Sequence, residues 1–190
     1  MLAGVSHDLR TPLTRMKLQL AMLDKSNEID ELTSDVEAME TMIEGYLNFA
    51  RGEGSEEVNP IDAKTLLEEI IHEARRNSIE ISLRIHDSVE LLIARNAFKR
   101  ALTNLIDNAA NNGKQLEIVL QLNGSVVELI FDDDGPGIPV DMREEVFKPF
   151  FRLDQSRNVE TGGTGLGLSI ARDIIRTHGG DIILSESSLG

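Results

Sequence analysis

Apolar positions recur at two different periods along this chain, and the change of period divides it. Leu2, Val5, Leu9, Leu13, Met16, Leu20 and Leu23 are spaced by three or four residues, which puts them on one stripe of an α-helix. Ile29, Leu32, Val36, Met39, Ile43, Tyr46 and Phe49 or Ala50 repeat that spacing, and the polar run Asp24 to Asn27 supplies a turn between the stripes. The pattern predicts an αα-hairpin. A hairpin of about 50 residues buries too little apolar surface by itself, so two copies are expected to pair as an intermolecular four-helix bundle, making the chain a homodimer. The alternative is that the hairpin docks on the remainder of its own chain.

Beyond residue 50 the pattern alternates between period 3.6 and period 2. The run Arg51-Gly52-Glu53-Gly54-Ser55-Glu56-Glu57 has no apolar residue, and Pro60 soon follows, as in a turn or linker. This sets two domains, 1–54 and 55–190. Helices are predicted over Ala63 to Asn77, Asn96 to Asn112 and Leu166 to His178; strands over Ile79 to Ile85, Glu90 to Ala94, Lys114 to Leu122, Val126 to Phe131 and Asp181 to Glu186. Asn123-Gly124-Ser125 joins two of those strands as an antiparallel hairpin. The second domain therefore reads as an α/β sandwich, with helices over one face of a mainly antiparallel sheet. The sequence reaches Ser187-Ser188-Leu189-Gly190 where one more strand is expected.

Composition narrows the chemistry. With 33 acidic against 19 basic residues the formal net charge is −14, which argues against a broad nucleic-acid surface. The absence of cysteine excludes disulfides, thiolate metal sites and cysteine nucleophiles. No apolar run approaches the length of a bilayer span, so the segment reads as soluble. The hairpin is itself asymmetric: residues 28 to 44 carry seven acids and no base, whereas residues 1 to 23 carry one acid and three bases. That asymmetry suits either a partner between the helices or electrostatic support within the bundle.

Three clusters carry candidate chemistry. His7 lies about 160° around its helix from the leucine stripe, so it is expected to face outward, with Thr11 and Thr14 on its side and Asp8 next to it. A neutral imidazole nitrogen accepts a phosphoryl group, and an adjacent carboxylate can orient the ring or take its proton. Pro12 weakens the helix ladder nearby, so a bend or loosened turn is expected there. Asn104 and Asn108 share a helix face opposite Leu105 and Ile106; their amide carbonyls can coordinate Mg²⁺ without adding negative charge beside a triphosphate. The third cluster is glycine-rich and has two parts. Asp132-Asp133-Asp134-Gly135-Pro136-Gly137-Ile138 follows a strand, while Gly162-Gly163-Thr164-Gly165-Leu166-Gly167 enters a helix whose terminus favours phosphate. Neither the P-loop pattern nor the dinucleotide-binding fingerprint fits.

Taken together, these clusters resemble a bacterial two-component sensor histidine kinase, specifically its dimerisation and phosphoacceptor hairpin followed by an ATP-binding domain of the histidine-kinase/gyrase type. Ser6-His7-Asp8-Leu9-Arg10-Thr11-Pro12-Leu13 looks like the phosphoacceptor motif, and Asn104 to Asn108 like the N box. Asp133 to Gly137 resembles the first glycine box, Phe147-Lys148-Pro149-Phe150 the F box, and Gly163 to Gly167 the second glycine box.

The resemblance implies ATP and Mg²⁺ as cofactors, His7 as the phosphorylated residue and Asp8 as its general base. It makes Asn108 the Mg²⁺ ligand, Asn104 a supporting residue and Asp133 the partner of the adenine amino group. Gly135 and Gly137 would shape the base pocket. Gly163, Thr164, Gly165, Leu166 and Gly167 would serve the phosphate-side lid, with Arg152 and Arg157 near the γ-phosphoryl group. Transfer to an aspartate of a response-regulator receiver domain is implied. So is dephosphorylation of that regulator, with Asp8 and Thr11 orienting water. The parent protein would be anchored in a bacterial inner membrane with this region in the cytoplasm. Two departures stand out: Asn111-Asn112 occupy positions where related enzymes often carry a basic and an aromatic residue, and the family usually continues past a residue like Gly190 into a final strand. Two other functions compete with the kinase: an ATP-binding switch without histidine transfer, and a non-catalytic dimeric interaction module.

Overall fold

The structure, a computed structural model, describes residues 2–23, 26, 28–30, 32–33, 36–37, 39, 43, 56–74, 79–153, 165–187 and 189, with residues 2–10 described by their backbone. The chain divides into two compact units, Met1–Ser55 with Arg152–Leu166, and Glu56–Phe151 with Gly167–Gly190.

In the first unit, α1 runs over Leu2–Ala21 and passes through Pro12 without a break, so the expected loosening there does not interrupt the helix. Among the described residues helical backbone is next found at Glu28, and Ser26 caps it: its carbonyl accepts from the amides of Ile29 and Asp30, both at 3.0 Å, and its hydroxyl accepts from Ile29 at 3.3 Å. Leu13 and Val36 are buried, whereas Met16, Leu23, Leu32 and Met39, from the same predicted stripes, are about half exposed. The ends of those stripes, including Tyr46, Phe49 and Ala50, lie outside the described residues. Lys17 pairs with Glu37 at 3.5 Å, so the charge asymmetry of the hairpin is used at least once between its own helices. Among the described residues no helix is long and apolar enough to cross a membrane.

The second unit contains β1 (Asn59–Asp62), α2 (Ala63–Ala74), β2 (Glu80–Ile85), β3 (Glu90–Ile93), α3 (Arg95–Asn112), β4 (Gln115–Asn123), β5 (Val126–Asp133) and α4 (Gly167–Thr177), with 3₁₀ turns at Val140–Met142 and Glu145–Phe147. Antiparallel β1 and β3 form a two-stranded sheet; the second sheet has the order β2-β4-β5, parallel between β2 and β4 and antiparallel between β4 and β5. Period-2 burial along β4 sends Leu116, Ile118 and Leu120 inward against Leu66, Leu67 and Ile70 of α2 and Leu102 and Ile106 of α3. On its other side α3 meets α4 through Ala101 and Ala171, both fully buried, beside Ile174.

The helix ends are fixed by side chains. Asp62 caps α2, accepting from the Thr65 amide at 2.9 Å and its hydroxyl at 2.5 Å, and these bonds hold the Asp62 carboxyl below its ordinary value. Ala94 gives α3 no side-chain cap; Glu56, forty residues before Asn96, supplies one, with its two oxygens 2.8 Å from the Asn96 amide and 3.1 Å from that of Ala97. His178 completes the clamp: its Nε2 accepts from the Ala94 amide at 3.0 Å, and its Nδ1–H donates to the Ile174 carbonyl at 2.7 Å. Gly179, at φ 82°, then turns the chain out of α4.

Two expectations are corrected. Pro60 does not mark a turn; it lies in β1, at the edge of a two-stranded sheet, where a missing N–H is tolerated. Asp181 to Glu186 form no strand: the exposure alternates as in one, yet the backbone joins no ladder. Asp181 is instead drawn into an ion-pair cluster, where its carboxylate accepts from Arg172 at 2.8 Å and Arg176 at 3.0 Å, while Arg172 also pairs with Glu144 at 2.8 Å. Arg172, then Arg176, holds the Asp181 carboxyl far below its usual value.

At the α3–α4 seam Ala101 and Ala171 are both fully buried. Ala171→Leu should destabilise the chain by about 1–3 kcal/mol, read from the urea midpoint; an unchanged midpoint would show the seam to be loose. The depressed acidity of Asp181 also fixes a pH dependence. Its stabilisation is complete above the unfolded carboxylate value, about pH 4, and declines as the pH falls toward the folded value. Asp181→Asn should therefore lower the urea midpoint near neutral pH, and that deficit should shrink steadily below about pH 4. A deficit independent of pH would contradict this origin.

Candidate nucleotide site

Burial of one face of α3 sets the direction of the other. Phe98, Leu102, Ile106 and Ala109 are in the core, so Asn104 and Asn108 are turned toward the half-exposed side of the helix. Asn104 Nδ2 donates to the Gly167 carbonyl at 3.2 Å, joining α3 to the first residue of α4. Among the described residues the Asn108 side-chain amide makes no hydrogen bond; its backbone carbonyl accepts from Asn112 Nδ2 at 2.8 Å. Asp107 lies between them, and burial raises its carboxyl above the ordinary value. Asn111 is exposed.

The loop after β5 closes against the far end of α3. Asp134 Oδ1 accepts from the Lys114 amide at 2.6 Å and the Gln115 amide at 2.8 Å, and these two bonds, that of Gln115 foremost, lower the Asp134 carboxyl. Asp133 folds back on its own turn, with Oδ1 accepting from the Gly135 amide at 2.9 Å. A side chain at Gly135 would meet that oxygen at 2.6 Å, so only glycine lets the turn form this tightly. Gly137 has φ 72°, a left-handed conformation that a side chain would strain.

The segment 138–151 leads from this loop through the predicted F box. Arg172 rests over the Phe147 ring, 4.1 Å from its centroid, while pairing with Glu144. Lys148 to Phe151 make a turn, with the Phe151 amide donating to the Lys148 carbonyl at 3.2 Å. Proline stands second in it and Phe150 third, with φ 65°, as in a type II turn that normally places glycine there. Phe150 thus holds strained backbone and is about half exposed.

The remaining candidates are distributed as follows. Arg152 is exposed, Gly165 has φ 69° and Leu166 is buried; all three fall in the segment that groups with residues 1–55. Thr11 and Thr14 are exposed on α1. His7 and Asp8 lie in the same helix, described by backbone, and Arg157, Gly163 and Thr164 lie outside the described residues. The second unit thus brings together Asn104 with Gly167, and Asp133 with Gly135. Glu56, Arg172, His178 and Ser187 are additional residues that fix this region. No local pattern singles them out, because each acts on a backbone or a charge far away in sequence.

The donor set suits a nucleotide with a hard cation. Among the described residues no group of three or more His, Cys, Asp or Glu could hold a metal ion. A neutral amide oxygen such as that of Asn108, supplemented by phosphate oxygens, is the ligand chemistry that Mg²⁺ accepts.

Comparison with known proteins agrees with this arrangement. Residues 93–190 match the family described as histidine kinase-, DNA gyrase B-, and HSP90-like ATPase, and residues 1–55 match the His Kinase A (phospho-acceptor) domain. The chain is 36% identical to the sensor protein RstB of Escherichia coli K12, over 98% of this chain and 45% of that protein. It is 31% identical to the sensor histidine kinase CpxA of the same organism, over 100% and 44%. The solved ATP binding domain of PrrB from Mycobacterium tuberculosis superposes with a TM-score of 0.59 at 26% identity, covering 71% of this chain and 91% of that one. The chain spans less than half the length of those two curated relatives. The fold is one with a capability for ATP and Mg²⁺. The chain belongs to the histidine kinase-, DNA gyrase B- and HSP90-like ATPase family, and its pairing with a phosphoacceptor domain is that of a bacterial sensor histidine kinase catalytic core.

Proposed function

We propose that this chain autophosphorylates His7 from MgATP and passes the phosphoryl group to an aspartate of a response-regulator receiver domain. The observation that carries the reading is the half-exposed asparagine face of α3, tied to Gly167, in the unit that also holds the Asp133–Gly137 turn and in a chain that begins with a His Kinase A match. Residues 1–54 act as the dimerisation and phosphoacceptor domain and residues 55–190 as the ATP-binding domain. The uncovered Met16, Leu23, Leu32 and Met39 favour a second copy against the hairpin, as an intermolecular four-helix bundle. RstB and CpxA are described as sensor proteins, and by analogy the parent of this chain is anchored in the inner membrane with this region in the cytoplasm.

Bound MgATP supplies an activated γ-phosphoryl group whose charge the ion helps to neutralise. Asn108 offers an amide oxygen to the ion, and Asn104 holds α3 against the start of α4. Asp133 receives the exocyclic amine of adenine, with Gly135 and Gly137 keeping the loop close to the base. The 152–167 segment, through Arg152, Arg157, Gly163, Thr164, Gly165, Leu166 and Gly167, covers the phosphates and excludes water. A His7 imidazole nitrogen attacks phosphorus in line; the P–N bond forms as the P–O bond to ADP breaks, and Asp8 takes the imidazole proton. In the reverse output Asp8 and Thr11 orient a water toward the phosphorylated regulator, a role that the exposure of Thr11 permits.

Incubation with radiolabelled ATP and Mg²⁺ should give an acid-labile, alkali-stable label on the chain that disappears in His7→Gln. Label persisting on another histidine would defeat the assignment, and nucleotide binding with no label at all would favour the ATP-binding switch. Asp133→Ala and Asn108→Ala should each weaken ATP binding by about tenfold or more, the latter only when Mg²⁺ is present. Titration calorimetry reads both: unchanged affinity in both variants would remove Asp133 and Asn108 from the site, and no ATP binding by the wild type or the variants would leave only the interaction module.

A further inference from the structure

Asp133 is an effective adenine acceptor only if its backbone is held while its carboxylate stays available. The local turn meets half of that requirement, since Gly135 N–H engages Oδ1 and, among the described residues, Oδ2 accepts no hydrogen bond. The other half comes from the far end of the chain. Ser187 Oγ lies 2.5 Å from Asp132 Oδ1 and 2.8 Å from the Asp133 carbonyl oxygen, sharing its single proton between them. Its own oxygen accepts from the Leu189 amide at 2.9 Å, which fixes the direction of the hydroxyl. All three groups are half-buried, where a hydrogen bond to a carboxylate is stronger than at the surface. The contact spans 54 residues of sequence and falls on the last two residues of β5, the point at which the chain leaves the sheet to form the base-binding turn.

We infer that Ser187 is a positioning residue for base recognition: its hydroxyl pins the end of β5 so that the Asp133 carboxylate meets the 6-amino group of adenine. The inference rests on the proposed nucleotide site and extends it to selectivity among purine nucleotides. Ser187 does not touch the ligand in this account. Its removal should therefore cost only the part of the affinity that passes through the amino group, leaving the phosphate and Mg²⁺ contacts near α3 intact.

The test measures binding of MgATP and of magnesium purine-riboside triphosphate, which lacks the 6-amino group, to the full chain. The wild type should prefer ATP by about tenfold or more. Ser187→Ala should weaken ATP binding about three- to tenfold and leave the analogue within about twofold, so that the preference collapses. Ser187→Thr, which keeps the hydroxyl, should restore it. Asp132→Asn, which keeps the shape but weakens the acceptor, should reproduce the selective loss even if Ser187→Ala folds poorly. Equal loss of both ligands in Ser187→Ala and Asp132→Asn would reduce Ser187 to general support and overturn the inference, as would an unchanged preference. A wild type that binds neither ligand, or does not discriminate them, would instead defeat the nucleotide site or the role of Asp133.

Discussion

The rotational setting of α3 is the constraint on which the rest depends. Successive residues differ by about 100° around a helix, so a slip of one position would carry Asn104 and Asn108 off their present face. The slip is prevented by burial. Phe98, Leu102, Ile106 and Ala109 fill the space over β4, and Ala101 and Ala171 are fully buried together in the seam with α4. The start of the helix is then fixed axially by His178, which engages the Ala94 amide, and by Glu56, which engages the amides of Asn96 and Ala97. An ordinary hydrophobic seam thus becomes a means of aiming two amides.

Charge favours amides at the proposed site. For a chain with net charge −14 to bind a triphosphate as proposed, carboxylates must be kept away from the phosphates or committed elsewhere. Asp134 is bound by two backbone amides, Asp133 is turned onto Gly135, and Asp181 and Glu144 neutralise Arg172. Asn108 adds no charge. The Arg172 cluster has a second effect: by joining Glu144 and Phe147 to α4 it braces the segment that leads into residues 152–164.

Much of this fold is legible in periodicity, because buried faces repeat. Leu66, Leu67, Ile70 and Ile71 mark α2, and the alternation Leu116, Ile118, Leu120 marks β4, with boundaries within a few residues of those observed. What periodicity does not report is partnership. Alternating exposure over Asp181 to Glu186 reads as a strand although no ladder forms, and nothing local distinguishes the parallel pairing of β2 with β4 from an antiparallel one. Pro60 reads as a breaker until the edge position of β1 is known. The asparagine face and the glycine turns were visible because helix geometry and backbone freedom are local properties. Glu56 and Ser187 were not, because each is an ordinary polar residue whose role arises only when a distant backbone arrives beside it.

In the proposed function a nucleotide sits between the Asn104–Asn108 face of α3 and the Asp133–Gly137 turn. A crystal structure of the chain with Mg²⁺ and a non-hydrolysable ATP analogue tests this most directly. It should show the 6-amino group of the base within hydrogen-bond distance of Asp133, and the ion bound by the Asn108 amide oxygen and phosphate oxygens. Nucleotide bound elsewhere on the chain, or bound with its base away from Asp133 and its ion away from Asn108, would contradict it.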